Sequence, residues 1–224
     1  MTTGFQSIST TGGVVQIDQD TTNFALVAKG TGTFSNLAYG STTVRYCLTT
    51  VTGLRNPVIA IQTASGIDFW SGMKANGGGS FSFYVYSTGA TNGSTFTYYI
   101  FDSADLSTIS DRAGLQIFNA SGTTVFHSSA KAMRVVGVQN TYSTVTYSSG
   151  PTYAVAMSSF EIQMTSTDLG GGTISNVNYW SSAAVTGNSV NLYLNVIESY
   201  IGSVLQANTD NGVPYILVID VTNY

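Results

Sequence analysis

The chain has 224 residues, seven Lys and Arg against eleven Asp and Glu, and a net charge of −4, with only 8% of residues charged and 43% hydrophobic. Solubility on that balance rests on Ser, Thr, Asn, Gln and Gly, and helix surfaces, which draw on Glu, Lys and Arg, are disfavoured. The sequence contains no run of Lys and Arg to follow a phosphate backbone, which argues against nucleic acid, and no apolar run long enough to insert in a membrane as a helix.

Length fits one large all-β domain or two small ones. Gly4-Phe5-Gln6 opens a hairpin that turns near Gly12 and returns through Val15; Phe24–Lys29 and Thr43–Thr50 follow as strands. Pro57–Thr63 is a further strand, with proline tolerated at its first position. Ser80–Ser87 alternates Phe81, Phe83 and Val85 with Tyr84 and Tyr86, and after the Asn92-Gly93 turn comes Thr95–Phe101. Residues 103–112 carry several charges and a helix-like start, so a single helical turn is expected there. Gly114–Gly137 reads as a three-stranded meander: Leu115–Phe118, a turn at Asn119–Gly122, Val125–Ser128, then Ala132–Val136. Gly114-Leu115-Gln116, Gly122 and Val125 repeat Gly4-Phe5-Gln6, Gly12 and Val15 at one offset. The expected organisation is therefore a β-sandwich-like fold with little helix and two similar β-rich halves, residues 1–101 and 113–224, joined by 102–112. Later strands are Thr141–Ser149, where Val145 alternates with Thr144 and Thr146, Thr152–Met157, Phe160–Met164, Ile174–Trp180 and Asn191–Glu198, while 199–208 reads equally as short helix or strand. Ile216–Ile219 is apolar on both faces, the pattern of an interior strand.

Little in the sequence advertises chemistry. Cys47 stands alone, so no intrachain disulfide forms, and its strand position predicts a half-buried inert thiol. His127 is the one histidine and has no neighbouring nucleophile motif, which points to a structural or solvent-exposed role. Asp18 and Asp20, like Asn208–Gly212, lack full calcium-loop spacing, and Glu161 with Asp168 is not singled out as a glycosidase pair. The triple glycines lack the Lys-Ser/Thr of a phosphate loop. No cofactor or metal site and no catalytic residue is assigned. The fourteen tyrosines and two tryptophans are the remaining candidates, and Trp70, Trp180, Tyr98 and Tyr147 are the expected surface-contact residues.

The opening Met-x-x-Gly-Phe-Gln with Val-x-Ile-Asp, the later Gly-Leu-Gln-Ile-Phe-Asn-x-Ser-Gly-x-x-Val-Phe, the Lys131–Val136 segment and the ending Tyr215-Ile-Leu-Val-Ile-Asp-Val together resemble small β-rich proteins associated with the tail tip or tail fibres of tailed bacteriophages and prophages. His127 departs from the Asp that the resemblance leads one to expect after Val-Phe. The resemblance implies a non-enzymatic virion component, made in a host cytoplasm, that contacts other tail proteins, forms a homo-oligomer with a trimer preferred, and touches a host-surface glycan or protein. The opening residues lack the basic and apolar regions of a signal peptide, in keeping with that expectation. A carbohydrate-binding β-sandwich module is the alternative.

Overall fold

The computed structural model describes residues 4–8, 14–18, 23–39, 42–103, 114–158, 162–202 and 212–224. The fold is all-β, and among the described residues there is no helix. The segment 104–112, where a helical turn is expected, lies outside the described residues, as do Asp20, Glu161 and Asn208–Asn211.

Two antiparallel sheets enclose the main core. The first contains β3 (Ala25–Thr33), β6 (Val58–Thr63), β9 (Thr95–Asp102), β12 (Arg134–Gln139), β14 (Tyr153–Met157) and β18 (Ile216–Asp220), in the order β12-β18-β14-β6-β9-β3. The second contains β4 (Ser35–Tyr39), β5 (Thr42–Val51), β7 (Asp68–Gly77), β8 (Ser80–Ser87), β13 (Thr144–Thr146), β16 (Thr173–Thr186) and β17 (Ser189–Gly202), in the order β13-β17-β16-β7-β8-β5-β4; β15 (Ile162–Gly170) joins the edge of β16. Two separate hairpins are formed by β1 (Gly4–Ile8) with β2 (Val14–Asp18) and by β10 (Gln116–Phe118) with β11 (Thr124–His127). The third strand of the expected meander, β12, does not pair with β11 but with β18. Its backbone pairs with β18 at the edge of the six-stranded sheet, while Val135, Val136 and Val138 keep their side chains exposed.

Alternation explains the core. Phe83 and Val85 of β8 face Ile61, Ile100 and Val218 of the other sheet, while Tyr84 and Tyr86 turn to the opposite face. The turn between β7 and β8 is the first triple glycine; Gly77, Gly78 and Gly79 have φ of 90°, 59° and 75°, a conformation that side-chain-bearing residues rarely adopt.

The six-stranded sheet is buried on both faces. A second apolar cluster on its other face joins Ala60, Tyr99, Phe101, Ala154, Ala156, Ile219 and Val221, with Phe24, Leu26, Met133 and Tyr224 packed over them. The cover comes from the sheet's own edges. Each edge strand carries a bulge at the corresponding place, Val27 in β3 and Val136 in β12, and a bulge bends a strand and increases its twist. Beyond the bulges the two edges meet: Ala25 bridges Ala132, the Leu26 amide donates to the Lys131 carbonyl at 2.8 Å, and the Met133 amide donates to the Phe24 carbonyl at 2.8 Å. The sheet thus closes on itself at one end.

Strand order is palindromic in chain position. Strands β3, β9 and β6 mirror β12, β18 and β14, and β7-β8-β5 mirrors β16-β17-β13. The mirror line is a sparsely paired seam. Between β6 and β14 only Val155 and Ile61 pair, and between β7 and β16 only Ala183 with Phe69 and Ala184 with Asp68. Carrying the first register on by one residue places Ala60 opposite Ala156 on the line itself.

Strand β18 lies between β12 and β14, with Ile216, Val218 and Ile219 fully buried, as the unbroken apolar run leads one to expect. Ile219→Ala deletes atoms from the second cluster without a means of refilling it, and equilibrium denaturant melts should show a loss of roughly 2–5 kcal/mol. A loss well under 1 kcal/mol would mean that the two-sided burial contributes little.

Candidate functional site

The face of β5, β8 and β7 turned away from the main core carries an aromatic row set by register. Tyr46, Tyr86 and Trp70 lie side by side on adjacent strands, and the next row is Leu48, Tyr84 and Gly72. Trp70 and Tyr86 stack with centroids 5.5 Å apart and planes 10° from parallel. Trp180, from β16 across the seam, stands perpendicular to both, its centroid 4.7 Å from Trp70 and 6.0 Å from Tyr86. Burial, followed by the neighbouring Tyr46 and Tyr84 hydroxyls, raises the Tyr86 hydroxyl above its ordinary pKa.

These rings line a cleft of about 170 Å³ with Tyr84, Gly72 and Met73. Gly72 makes the opening: a Cβ built there would meet nothing within 4 Å. On the other side of Gly72 and Met73 a larger apolar cavity of about 470 Å³ occupies the gap where β6 and β14 diverge, walled by Val58, Ile59, Ala156, Met157 and Leu217. Both spaces exist because the strands along the seam separate soon after they pair.

A polar network anchors the seam beside the rings. The buried Asp68 carboxylate accepts from the Gly89 amide (2.6 Å), the Ser87 and Thr88 hydroxyls (3.1 and 2.8 Å), the Thr88 amide (3.2 Å) and Asn195 Nδ2 (2.7 Å). Asn195 also donates to Ser182 Oγ at 3.0 Å, so strands from both sides of the seam share one carboxylate. Five donors hold the charge in place, which stabilises a buried ion that would otherwise be costly.

Of the four residues singled out from sequence, the structure brings two together. Trp70 and Trp180 meet, with Trp70 only 1% exposed as the cleft's floor and Trp180 half-buried as its wall. Tyr98 and Tyr147 are elsewhere and pack against the main core rather than presenting open rings. The cause is a glycine against each ring. The Tyr98 ring covers Gly30, its partner on β3, and the Tyr147 ring covers Gly137 of β12. Tyr84, Tyr86 and Gly72 are the cleft residues that sequence reasoning missed. Alternation in Ser80–Ser87 placed both tyrosines on one face but did not identify what they face.

His127 is buried, and its Nδ1 accepts from the Ser129 amide at 3.1 Å, closing the turn after β11. Cys47 is a half-buried free thiol. Among the described residues no three His, Cys, Asp or Glu side chains gather to hold a metal ion. Three cations from two distant parts of the chain do converge: Lys131 and Arg134 lie over the Tyr224 ring, and Lys29 lies over Tyr99 and donates to the Tyr224 carbonyl at 2.6 Å. Arg134 also pairs with Asp220 at 3.4 Å and donates to the Thr222 carbonyl at 2.7 Å.

Fold and site together define a two-sheet antiparallel β protein with an uncharged aromatic cleft at an internal seam. Comparison with protein-family models, curated proteins and solved structures finds no match to the chain.

Tyr193, opposite Ser182 on the β16–β17 pair, supplies a pH test of the network. Burial first, then the negative charge of Asp68, push its hydroxyl up to about 12, against a smaller opposing pull from its Asn195 hydrogen bond. In the unfolded chain this hydroxyl ionises near the ordinary tyrosine value of about 10, so its contribution is intact below that pH and declines as pH rises from about 10 to about 12. Absorbance titration at 295 nm should show a late ionisation that Tyr193→Phe removes, and the variant's stability should fall less steeply across that window. A late step unchanged by Tyr193→Phe would place the perturbed hydroxyl elsewhere.

Proposed function

We propose that this chain is a non-enzymatic structural component of a bacteriophage tail tip or tail fibre that assembles with copies of itself and with other tail proteins. The carrying observation is the edge formed by β12 and β13, which are joined by residues 140–143 and lie at the ends of the two sheets on one side of the sandwich. Val135, Val136, Val138, Tyr142 and Val145 are all exposed there, Val138 at 58%. Edge strands that stay solitary are commonly guarded by Lys or Pro. Here the one cation on β12, Arg134, is engaged by Asp220 and the Thr222 carbonyl. An apolar strand edge of this kind suits a permanent neighbour, and a charge-poor surface can be covered without stranding unpaired ions. The resemblance of the opening, central and closing motifs to tail-associated proteins supplies the setting, and a trimer about a fibre axis is the preferred stoichiometry.

Light scattering behind size exclusion should give a defined oligomer for the purified chain, and Val136→Lys with Val138→Lys should shift it to monomer with little change in melting temperature. Mass spectrometry of purified phage particles should find the chain among tail components. A wild-type chain that stays monomeric at about 50 µM, well above a dissociation constant of about 1 µM, together with particles lacking the chain, would overturn the reading.

A further inference from the structure

We propose that the cleft between Trp70, Trp180, Tyr84 and Tyr86 is a binding site for a neutral pyranose ring. The inference stands on the cleft and goes beyond the assembly reading, whose edge lies on other strands. A pyranose presents C–H faces that rest on aromatic rings and equatorial hydroxyls that need a few polar partners, and pockets of this type combine aromatic walls with sparse donors. The half-buried Trp180, Tyr84 and Tyr86 supply the ring surface that a ligand meets, with Trp180 standing at 88° to the buried Trp70 behind them. Gly72 keeps the space above them clear, since its cross-strand row, Leu48–Tyr84–Gly72, ends at the seam without a side chain. Trp70 Nε1 is buried and has no hydrogen-bond partner among the described residues. Trp70 lines the cleft, and an unmet buried donor costs free energy that a hydroxyl of a neutral sugar would recover on reaching it. The lining has no charged side chain, which disfavours phosphorylated or acidic ligands. Asp68, the nearest fixed charge in the seam network, is saturated by its five donors and so holds Ser87, Thr88 and Asn195 in place.

Both tryptophans of the chain lie in the cleft, so intrinsic fluorescence reads this site alone. The wild-type chain should be titrated with methyl β-glucopyranoside, methyl β-galactopyranoside and N-acetylglucosamine. At least one should give a saturable shift with a Kd on the order of a millimolar, as expected for a ligand of about a dozen heavy atoms. Gly72→Leu fills the opening from a position where a side chain has room and φ is not left-handed, so it should weaken binding at least tenfold while leaving the circular dichroism spectrum and oligomeric state as in wild type. Tyr84→Ala, which removes the adjacent wall, should do the same and covers the case in which Gly72→Leu fails to fold. No saturable response up to about 50 mM, an affinity unchanged in both variants, or a response to p-cresol with none to the sugars would each overturn the proposal. The Val136→Lys, Val138→Lys variant should bind as wild type does, so failure of the sugar site and failure of the assembly reading are separable.

Discussion

A sheet without a free face is the constraint on which this molecule depends. β6, β9, β14 and β18 carry large side chains toward the main core and a second apolar set on the reverse, so something must cover the reverse face. The chain provides the cover by curling the sheet's own edges over it. That is possible only because Ala60, Ala154 and Ala156 keep the reverse face low near the mirror line, and because Val27 and Val136 bulge out where the edge strands must bend. A leucine in place of any of these alanines would hold the closing segments away from Phe101 and Ile219. Small residues at the centre and one extra residue at each rim are thus two parts of one solution.

Much of this was legible in the chain. The two-sided apolar run at Ile216–Ile219 marks an interior strand, and the alternation in Ser80–Ser87 separates core phenylalanines from outer tyrosines; both patterns reflect a period of two that any sheet imposes. The Ser181-Ser182-Ala183-Ala184 stretch was not legible as a strand interior. Serine and alanine have no strong preference for the pleat, yet these residues are buried at the junction of β16 with β7 because nothing larger fits there. The fate of β12 was also hidden. Local pattern shows that a strand exists but not whether it pairs with the hairpin before it or with β18, which lies far later in the sequence.

Exposure of individual aromatics was the least legible property. Tyr98 and Tyr147 sit in sequence settings as polar as those of Tyr84 and Tyr86, but each is drawn inward by a glycine on a neighbouring strand that leaves a ring-sized hollow. Gly72 has the opposite effect on Trp70 and Trp180, since no ring falls into the space it leaves. Whether a glycine is filled or left open depends on what the register or a neighbouring sheet places against it, and neither is a local property of the sequence. The two tryptophans, 110 positions apart, become neighbours only because the seam brings β7 and β16 together.

The seam itself has a mechanical consequence. Within each half, strands are laced by long ladders such as the thirteen-residue register of β16 with β17 and the seven-residue register of β5 with β8. Across the seam, one pair in one sheet and two in the other carry the strand pairing. Tension drawing the halves apart meets the fewest strand-to-strand pairs there, so what holds the line is chiefly the main core that both halves share. The Asp68 network crosses that line directly, and the Ala25–Ala132 bridge ties the two halves a second time at the outer edges of the six-stranded sheet. Pulled apart along that line, the molecule would part like a clasp, each half keeping its own ladders while the aromatic cleft opened between them.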